Sequence, residues 1–316
     1  MRSMFQVKRR SEAKFSSSRF KEQAVLIGMC LIPAAVVFAF NYLPMFGLVL
    51  AFKDFRYDQG ILGSDWAGFK NFEFLFTSGT LWRMLRNTVG MNLLFIVVQT
   101  LANVGVAMLL YDLTSARKIK VYQTCMMLPY FISWVIGSYI VYTLLNPQQG
   151  VLNQIIQAFG GEPISWYREP VYWPFILLIA HVWKGVGMGC IIYYASLMGN
   201  DSAYSEAAAI DGATSWQIKK HVLFPSLLPV IVIQTILSIG SIMHADFGLF
   251  YQVPRDMGTL YSVTDVFDTF TYRALRINGD VSMSAAAGFF QSITGCILVC
   301  VTNYIVTKIE PDYALF

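Results

Sequence analysis

The chain has 316 residues, of which 56% are hydrophobic and 13% charged. Soluble domains carry about 25% charged residues, so this composition excludes a water-soluble domain and places the chain in lipid. The net charge of +4 comes largely from Arg2, Lys8, Arg9, Arg10, Arg19 and their neighbours; basic residues ahead of a first apolar stretch hold that end in the cytoplasm, which accounts for them better than nucleic acid does.

At this length there is room for six spans of about 20 residues. A basic cytoplasmic tail, residues 1–24, is expected to precede a first span that serves as an uncleaved signal anchor, because no small-residue cleavage site precedes it. Span one covers residues 25–52, and Pro33 and Pro44 inside it predict a kinked helix or two pieces. The stretch through Gly60, Gly63, Trp66 and Gly68 reads as an ordered external loop with short interfacial helices, and Tyr57, Trp66 and Trp82 suit an aromatic belt. Span two runs over 87–111 and span three over 123–145. Arg117, Lys118 and Lys120 put the connection between them inside. The next connection, 146–170, has only Arg168 as a basic residue and belongs outside. Span four covers 173–197, and by alternation the polar segment 199–225, with Lys219 and Lys220, is cytoplasmic. Span five covers 224–245, a long outer loop holds Tyr251, Pro254 and Tyr261, span six covers 287–308, and the short tail 310–316 ends inside. Residues 25–309 thus form one six-span domain. No internal repeat is present, and six spans without such symmetry fit half of a transport pathway better than a whole one.

Cys30, Cys125, Cys190, Cys296 and Cys300 all lie in apolar stretches and read as packing residues. Neither a disulfide nor a metal site is expected. Polar residues inside spans mark helix-packing contacts or a path for something polar. In span two, Asn92, Gln99 and Asn103 are spaced i, i+7, i+11; in span five, Gln234, Ser238 and Ser241 are spaced i, i+4, i+7. Each set is one helical stripe. In span three Tyr130, Trp134 and Ser138 share a helical face with Tyr139 beside it, and span four offers Trp183 and Tyr193. Aromatic faces with amides and hydroxyls suit sugar rings, and equally serve as packing surfaces. Lys184 is the basic residue deep within a span, with His181 a turn before it. It could meet a uronic-acid carboxylate, pair with Asp246, donate to backbone carbonyls or snorkel. The run Gly185–Gly189 reads as a close helix-helix contact.

The segment 206–225 is the long polar stretch between two apolar spans. Ser202 can cap a short helix to about residue 210, Asp211-Gly212 makes a turn, and Thr214 with Gln217 has capping-box spacing ahead of Pro225. Such a hairpin could be gripped by another protein, or lie on the membrane surface. Glu206-Ala207-Ala208, three residues, Gly212, nine residues and Val222-Leu223-Phe224-Pro225 resembles the EAA signature of bacterial ABC-importer permeases, with Val222 for Ile and Phe224 for Leu. The stretches 41–47, 51–55, 66–72, 128–134, 265–272 and 285–291 are similar to the polysaccharide-type branch of the maltose-permease superfamily, so the resemblance spans about residues 25–309.

What the resemblance implies is an all-α membrane protein: a type I permease bundle of six transmembrane helices with a cytoplasmic coupling-helix hairpin, located in the bacterial cell membrane with both termini cytoplasmic. It implies a second related permease, two cytoplasmic ATPase subunits, a secreted or lipid-anchored sugar-binding protein, and an oligosaccharide substrate. Glu206 would pair with a basic ATPase residue, Ala207 and Ala208 would allow close seating, and Asp211-Gly212 would make the turn. No Gly-Lys pair occurs in the chain, so ATP and Mg are expected on the partner ATPase and no cofactor on this chain. The rival readings are a secondary carrier, which needs an ion-coupling site, and a membrane-embedded enzyme, toward which only His181 and Lys184 point.

Overall fold

The computed structural model describes residues 17–309. The expected basic tail up to residue 16 and the tail 310–316 lie outside the described residues. The chain divides into two compact units, the first ending at Val49 and the second beginning at Leu50.

The first unit is α1 (Ser17–Val37), a π-helical turn over Phe38–Tyr42, and the start of a 3-10 stretch, Leu43–Phe52. Pro33 sits inside α1 without breaking it. The distortion falls ahead of Pro44 instead, because a helical proline lacks the N–H and its ring crowds the carbonyl four residues back, here that of Phe40. Residues 25–46 are exposed throughout.

The second unit opens with a pair of two-residue antiparallel strands, β1 (Lys53–Asp54) and β2 (Asp65–Trp66). Everything of length in it is helical. After α2 (Lys70–Thr77), α3 (Thr80–Tyr111) begins a full two turns before the expected span, because Arg83 and Arg86 are held by the 262–273 segment rather than left as charges at a membrane edge. The expected single helix of span three is corrected: it is α4 (Ala116–Phe131) and α5 (Trp134–Leu145), bent by 98°. Pro129 lies in the last turn of α4, Ile132 is extended, and the Ser133 side chain accepts the Ile136 N–H to start α5 anew. Besides single turns such as Gly60–Gly63 and Tyr261–Thr264, the unit has the helices α6 (Val151–Ala158), α7 (Trp173–Met198), α8 (Ser202–Ile210), α9 (Ser215–Ile218), α10 (Phe224–Gly240), α11 (Phe267–Arg276) and α12 (Val281–Ile309). Among the described residues, five helical stretches are long and apolar enough to cross a membrane, or six when the bent pair is counted as one span.

Packing is centred on α3, which contributes Met91 and Phe95 to one buried cluster, Leu81 and Met84 to a second, and Val104, Ala107 and Leu110 to a third. Helices in lipid gain little from the hydrophobic effect and associate through close fit and hydrogen bonds. The contact of α4 with α7 shows this: a Cβ on Gly187 would lie 1.8 Å from the Met126 carbonyl oxygen, so only glycine permits it.

Candidate functional site: a polar cavity and a hairpin

The polar stripes of spans two and five meet. Asn92, Gln99 and Asn103 of α3, His181, Gly189 and Tyr193 of α7, and Gln234, Ser238 and Ser241 at α10 line one cavity of about 230 Å³. Its amides are partly engaged. Asn92 Nδ2 donates to the Ile242 and His244 carbonyls at 2.7 and 3.2 Å, and Gln99 Nε2 donates to Asn103 Oδ1 at 2.7 Å. Gln99 Oε1 is buried with no hydrogen-bond partner among the described residues. A buried acceptor left unmatched costs about 1–3 kcal/mol, so a donor reaching it would recover that loss.

The glycine run of α7 has a sharper role than helix contact alone. A Cβ on Gly185 would stand 3.0 Å from Gln99 Oε1, and one on Gly189 only 2.3 Å from Asn103 Nδ2. These two glycines make room for the amides of α3. His181 stacks on Phe95 with ring centroids 4.2 Å apart, as an aromatic wall of the same cavity.

Lys184 lies elsewhere. Its ammonium donates to the carbonyls of Tyr130 at 2.9 Å and Pro129 at 3.4 Å and to that of Ile132, and sits 5.9 and 5.3 Å from the ring centres of Tyr130 and Trp134. It therefore closes the open C-terminal end of α4 at the bend. Asp246 is not its partner: that carboxylate accepts Trp134 Nε1 at 2.5 Å and the Leu249 N–H at 3.2 Å. Because the chain bends between them, Tyr130 and Trp134 do not share one helical face as expected. Trp183 stands at the surface of α7, 37% exposed, away from the cavity lining. Tyr139 lines a second cavity, of about 190 Å³, with Ser138, Tyr142, Tyr251, Gln252, Arg255 and Asp256.

At the other end of α3 stands the hairpin. The cap of α8 is Asp201, whose carboxylate accepts the Ala203 N–H at 3.0 Å, one residue before the expected Ser202. Gly212 has φ +82°, in the left-handed region that the turn requires. Thr214 and Gln217 form the expected reciprocal capping box. Pro225 starts α10 rather than closing the hairpin, and the turn Lys219–Leu223 ahead of it is π-helical, as ahead of Pro44. Glu206, Ala207, Asp211 and Gly212 are exposed and Ala208 half-buried.

Three features of the hairpin escaped the sequence reading. Tyr204, Ile210 and Trp216 are 69%, 86% and 71% exposed, large apolar side chains on an otherwise polar segment. A cleft between the short helices is lined by Ala208, Asp211, Gln217 and His221. The Lys219 ammonium pairs with Asp112, just past the end of α3. The first could have been read from the large apolar residues in a polar stretch; the ion pair joins positions too far apart for spacing to reveal.

At the opposite end, Asp265, 1% exposed, accepts Arg83 Nη2 at 2.8 Å and also pairs with Arg273. Asn87 Nδ2 adds bonds to the carbonyls of Ser262 and Asp265 at 3.2 and 3.0 Å. Buried, multiply bonded charge of this kind fixes a loop on a helix.

A bundle of membrane-length helices, a polar cavity among them and an exposed two-helix hairpin define a membrane permease rather than a soluble domain. Residues 120–311 match the family described as "Binding-protein-dependent transport system inner membrane component", and the chain belongs to that family, the permease components of ABC importers. Protein LplB of Bacillus subtilis (strain 168) is 33% identical over 90% of this chain and 89% of its own. The polygalacturonan/rhamnogalacturonan transport system permease protein YteP of the same organism is 34% identical over 90% and 88%. Among solved structures, a chain of a bacterial ABC transporter involved in the import of the acidic polysaccharide alginate superposes with a TM-score of 0.83 at 28% identity, covering 93% of this chain and 98% of that one. The protein is therefore an all-α, multi-pass membrane permease.

Proposed function

We propose that this permease carries oligosaccharides or polysaccharide fragments across the bacterial cell membrane, as one of two related permease subunits in an ATP-driven importer. The observation that carries the reading is the cavity between α3, α7 and α10, where amides and hydroxyls converge and Gln99 Oε1 awaits a donor. Sugar hydroxyls donate and accept at once and suit such a lining. Relatives named for polygalacturonan and alginate transport support it.

In this reading both termini and the hairpin are cytoplasmic, and the loop end of the bundle faces an extracellular or lipid-anchored sugar-binding protein. The exposed segment 206–225 seats in one of two ATPase subunits. Glu206 meets a basic residue there, Ala207 and Ala208 permit close approach, and Asp211-Gly212 holds the turn. ATP and Mg belong to the ATPases, and this chain performs no catalysis. Closure of the ATPase pair moves the hairpin, and the bundle opens its cavity alternately to either side.

The test is uptake of labelled oligosaccharides by proteoliposomes holding the whole transporter and its binding protein. Uptake should require ATP. Uptake driven by an ion gradient with no ATP would replace this reading with a secondary carrier.

A further inference from the structure

The second cavity holds a cation with no acidic partner among the described residues. Arg255 and Asp256 are the non-glycine residues with positive φ among the described residues, at +58° and +48°. Non-glycine residues adopt this region uncommonly, and such outliers persist where the surroundings over-determine them. Here they do: Val253 is fully buried, its carbonyl accepts the Tyr167 hydroxyl, and the Arg255 and Asp256 N–H groups donate to Gln252 and Tyr251 at 3.1 Å each. The turn points the two side chains to different tasks. Asp256 accepts Arg273 Nη1 at 2.8 Å and the Tyr261 hydroxyl at 3.1 Å. Arg255 lies 4.2 Å from the ring centre of Tyr142, and its guanidinium makes no hydrogen bond or ion pair among the described residues.

Charge balance reinforces the point. The two acids of this corner, Asp256 and Asp265, are matched by Arg273 and Arg83. Arg255 is left over, at the rim of a cavity whose other walls are Val135, Ser138, Tyr139, Tyr142, Tyr251, Gln252 and Asp256, the Asp256 carboxylate being already paired with Arg273. Tyr139 is 61% exposed, so its ring is open to a ligand. A planar guanidinium held over an aromatic ring, as Arg255 is over Tyr142 at 4.2 Å, remains free to bind a carboxylate in bidentate fashion, and tyrosine faces stack on the C–H surfaces of sugar rings.

We propose that this cavity at the outer mouth is a separate entry subsite for an acidic sugar residue, with Arg255 binding the carboxylate and Tyr139 supporting the ring. Acidic selectivity then resides at Arg255, not at Lys184, whose ammonium is engaged by three carbonyls. The proposal rests on the reading of the chain as an oligosaccharide permease.

The experiment titrates the assembled transporter, in lipid nanodiscs without its binding protein, with tri-galacturonate and with the carboxyl-reduced neutral trisaccharide of the same linkage. The wild type should bind the acidic sugar at least tenfold more tightly. Arg255→Gln should abolish that difference while leaving the neutral sugar within twofold, and Tyr139→Ala should weaken both sugars by a similar factor. Equal wild-type affinity for the two sugars, or an acidic preference that survives Arg255→Gln, overturns the subsite and leaves the oligosaccharide reading standing. Unchanged affinities in Tyr139→Ala overturn the ring support. Absence of binding to both sugars, together with absence of uptake of any oligosaccharide by the complete transporter, overturns the subsite and the oligosaccharide reading alike.

Discussion

The indole of Trp134 lies directly against Gly248: a Cβ at that glycine would fall 2.3 Å from Cδ1 of the ring. The same indole donates to Asp246 at 2.5 Å, so α5 is latched at its first residue to the segment that follows α10. Gly248→Ala should force the ring aside and destabilise the protein by about 1–3 kcal/mol, the usual cost of overpacking. A fall in thermal midpoint of the purified transporter checks this, and an unchanged midpoint would mean the contact is soft.

Lys184→Met should leave three carbonyl oxygens at the bend without their donor. A hydrogen bond from a charged donor is worth about 1.5–3 kcal/mol, and these carbonyls are only partly buried, so the loss should appear as a modestly lower midpoint and reduced folded protein in the membrane. Uptake of acidic and neutral oligosaccharides should fall together. A selective loss of acidic uptake would return the carboxylate role to Lys184.

Gln99→Leu should keep the fold and weaken transport, because the side chain is removed from a cavity wall rather than from a filled core. One neutral hydrogen bond is worth about 0.5–1.5 kcal/mol, so a rise of up to about tenfold in KM is expected. Gly189→Ala should act on the same amide pair from the other side, by displacing Asn103. KM values at the wild-type level in both variants would place the substrate elsewhere.

Glu206→Lys should leave the permease in the membrane but abolish sugar-stimulated ATP hydrolysis, since the Glu206 side chain is exposed and makes no hydrogen bond or ion pair among the described residues. Purified complexes with wild-type composition and stimulation would remove the coupling role. Trp216→Ala, which deletes a side chain 71% exposed, should weaken ATPase retention without lowering the thermal midpoint of the permease.

Burial pushes the Tyr167 hydroxyl up to about 12, against the opposing influence of Arg255. The folded group thus holds its proton more firmly than the unfolded one, whose value is 10.0. Its contribution to stability is complete below pH 10 and is lost as pH rises through the folded value near 12. Tyr167→Phe should flatten that alkaline loss of thermal midpoint, and Arg255→Gln should raise the Tyr167 value further in an ultraviolet titration of tyrosinate.

The features legible in the sequence were those set by local periodicity. Asn92, Gln99 and Asn103 recur at helical spacing, so their common face could be read, and Gly212 with the Thr214–Gln217 pair specified the hairpin turn. The bend between Phe131 and Trp134 was not legible from hydropathy, which registers apolar content and not direction; its signals were Pro129 and the capping residue Ser133. Arg255 was passed over because nothing in its neighbours along the chain distinguishes it. Its isolation appears only when Arg83, which lies far away in sequence, is seen to share Asp265 with Arg273.

The 32 residues of α3 form a rod roughly 48 Å long at 1.5 Å per residue. Arg83 bolts one end to the loop corner that carries Arg255, Asp112 bolts the other to Lys219 of the hairpin, and the cavity amides lie between. If the hairpin receives the push of an ATPase as proposed, these two ion pairs would carry it along α3 to the mouth in the same stroke, so that a sugar would be released at its entry and gripped at mid-membrane by a single displacement rather than by two gates that must be timed against each other.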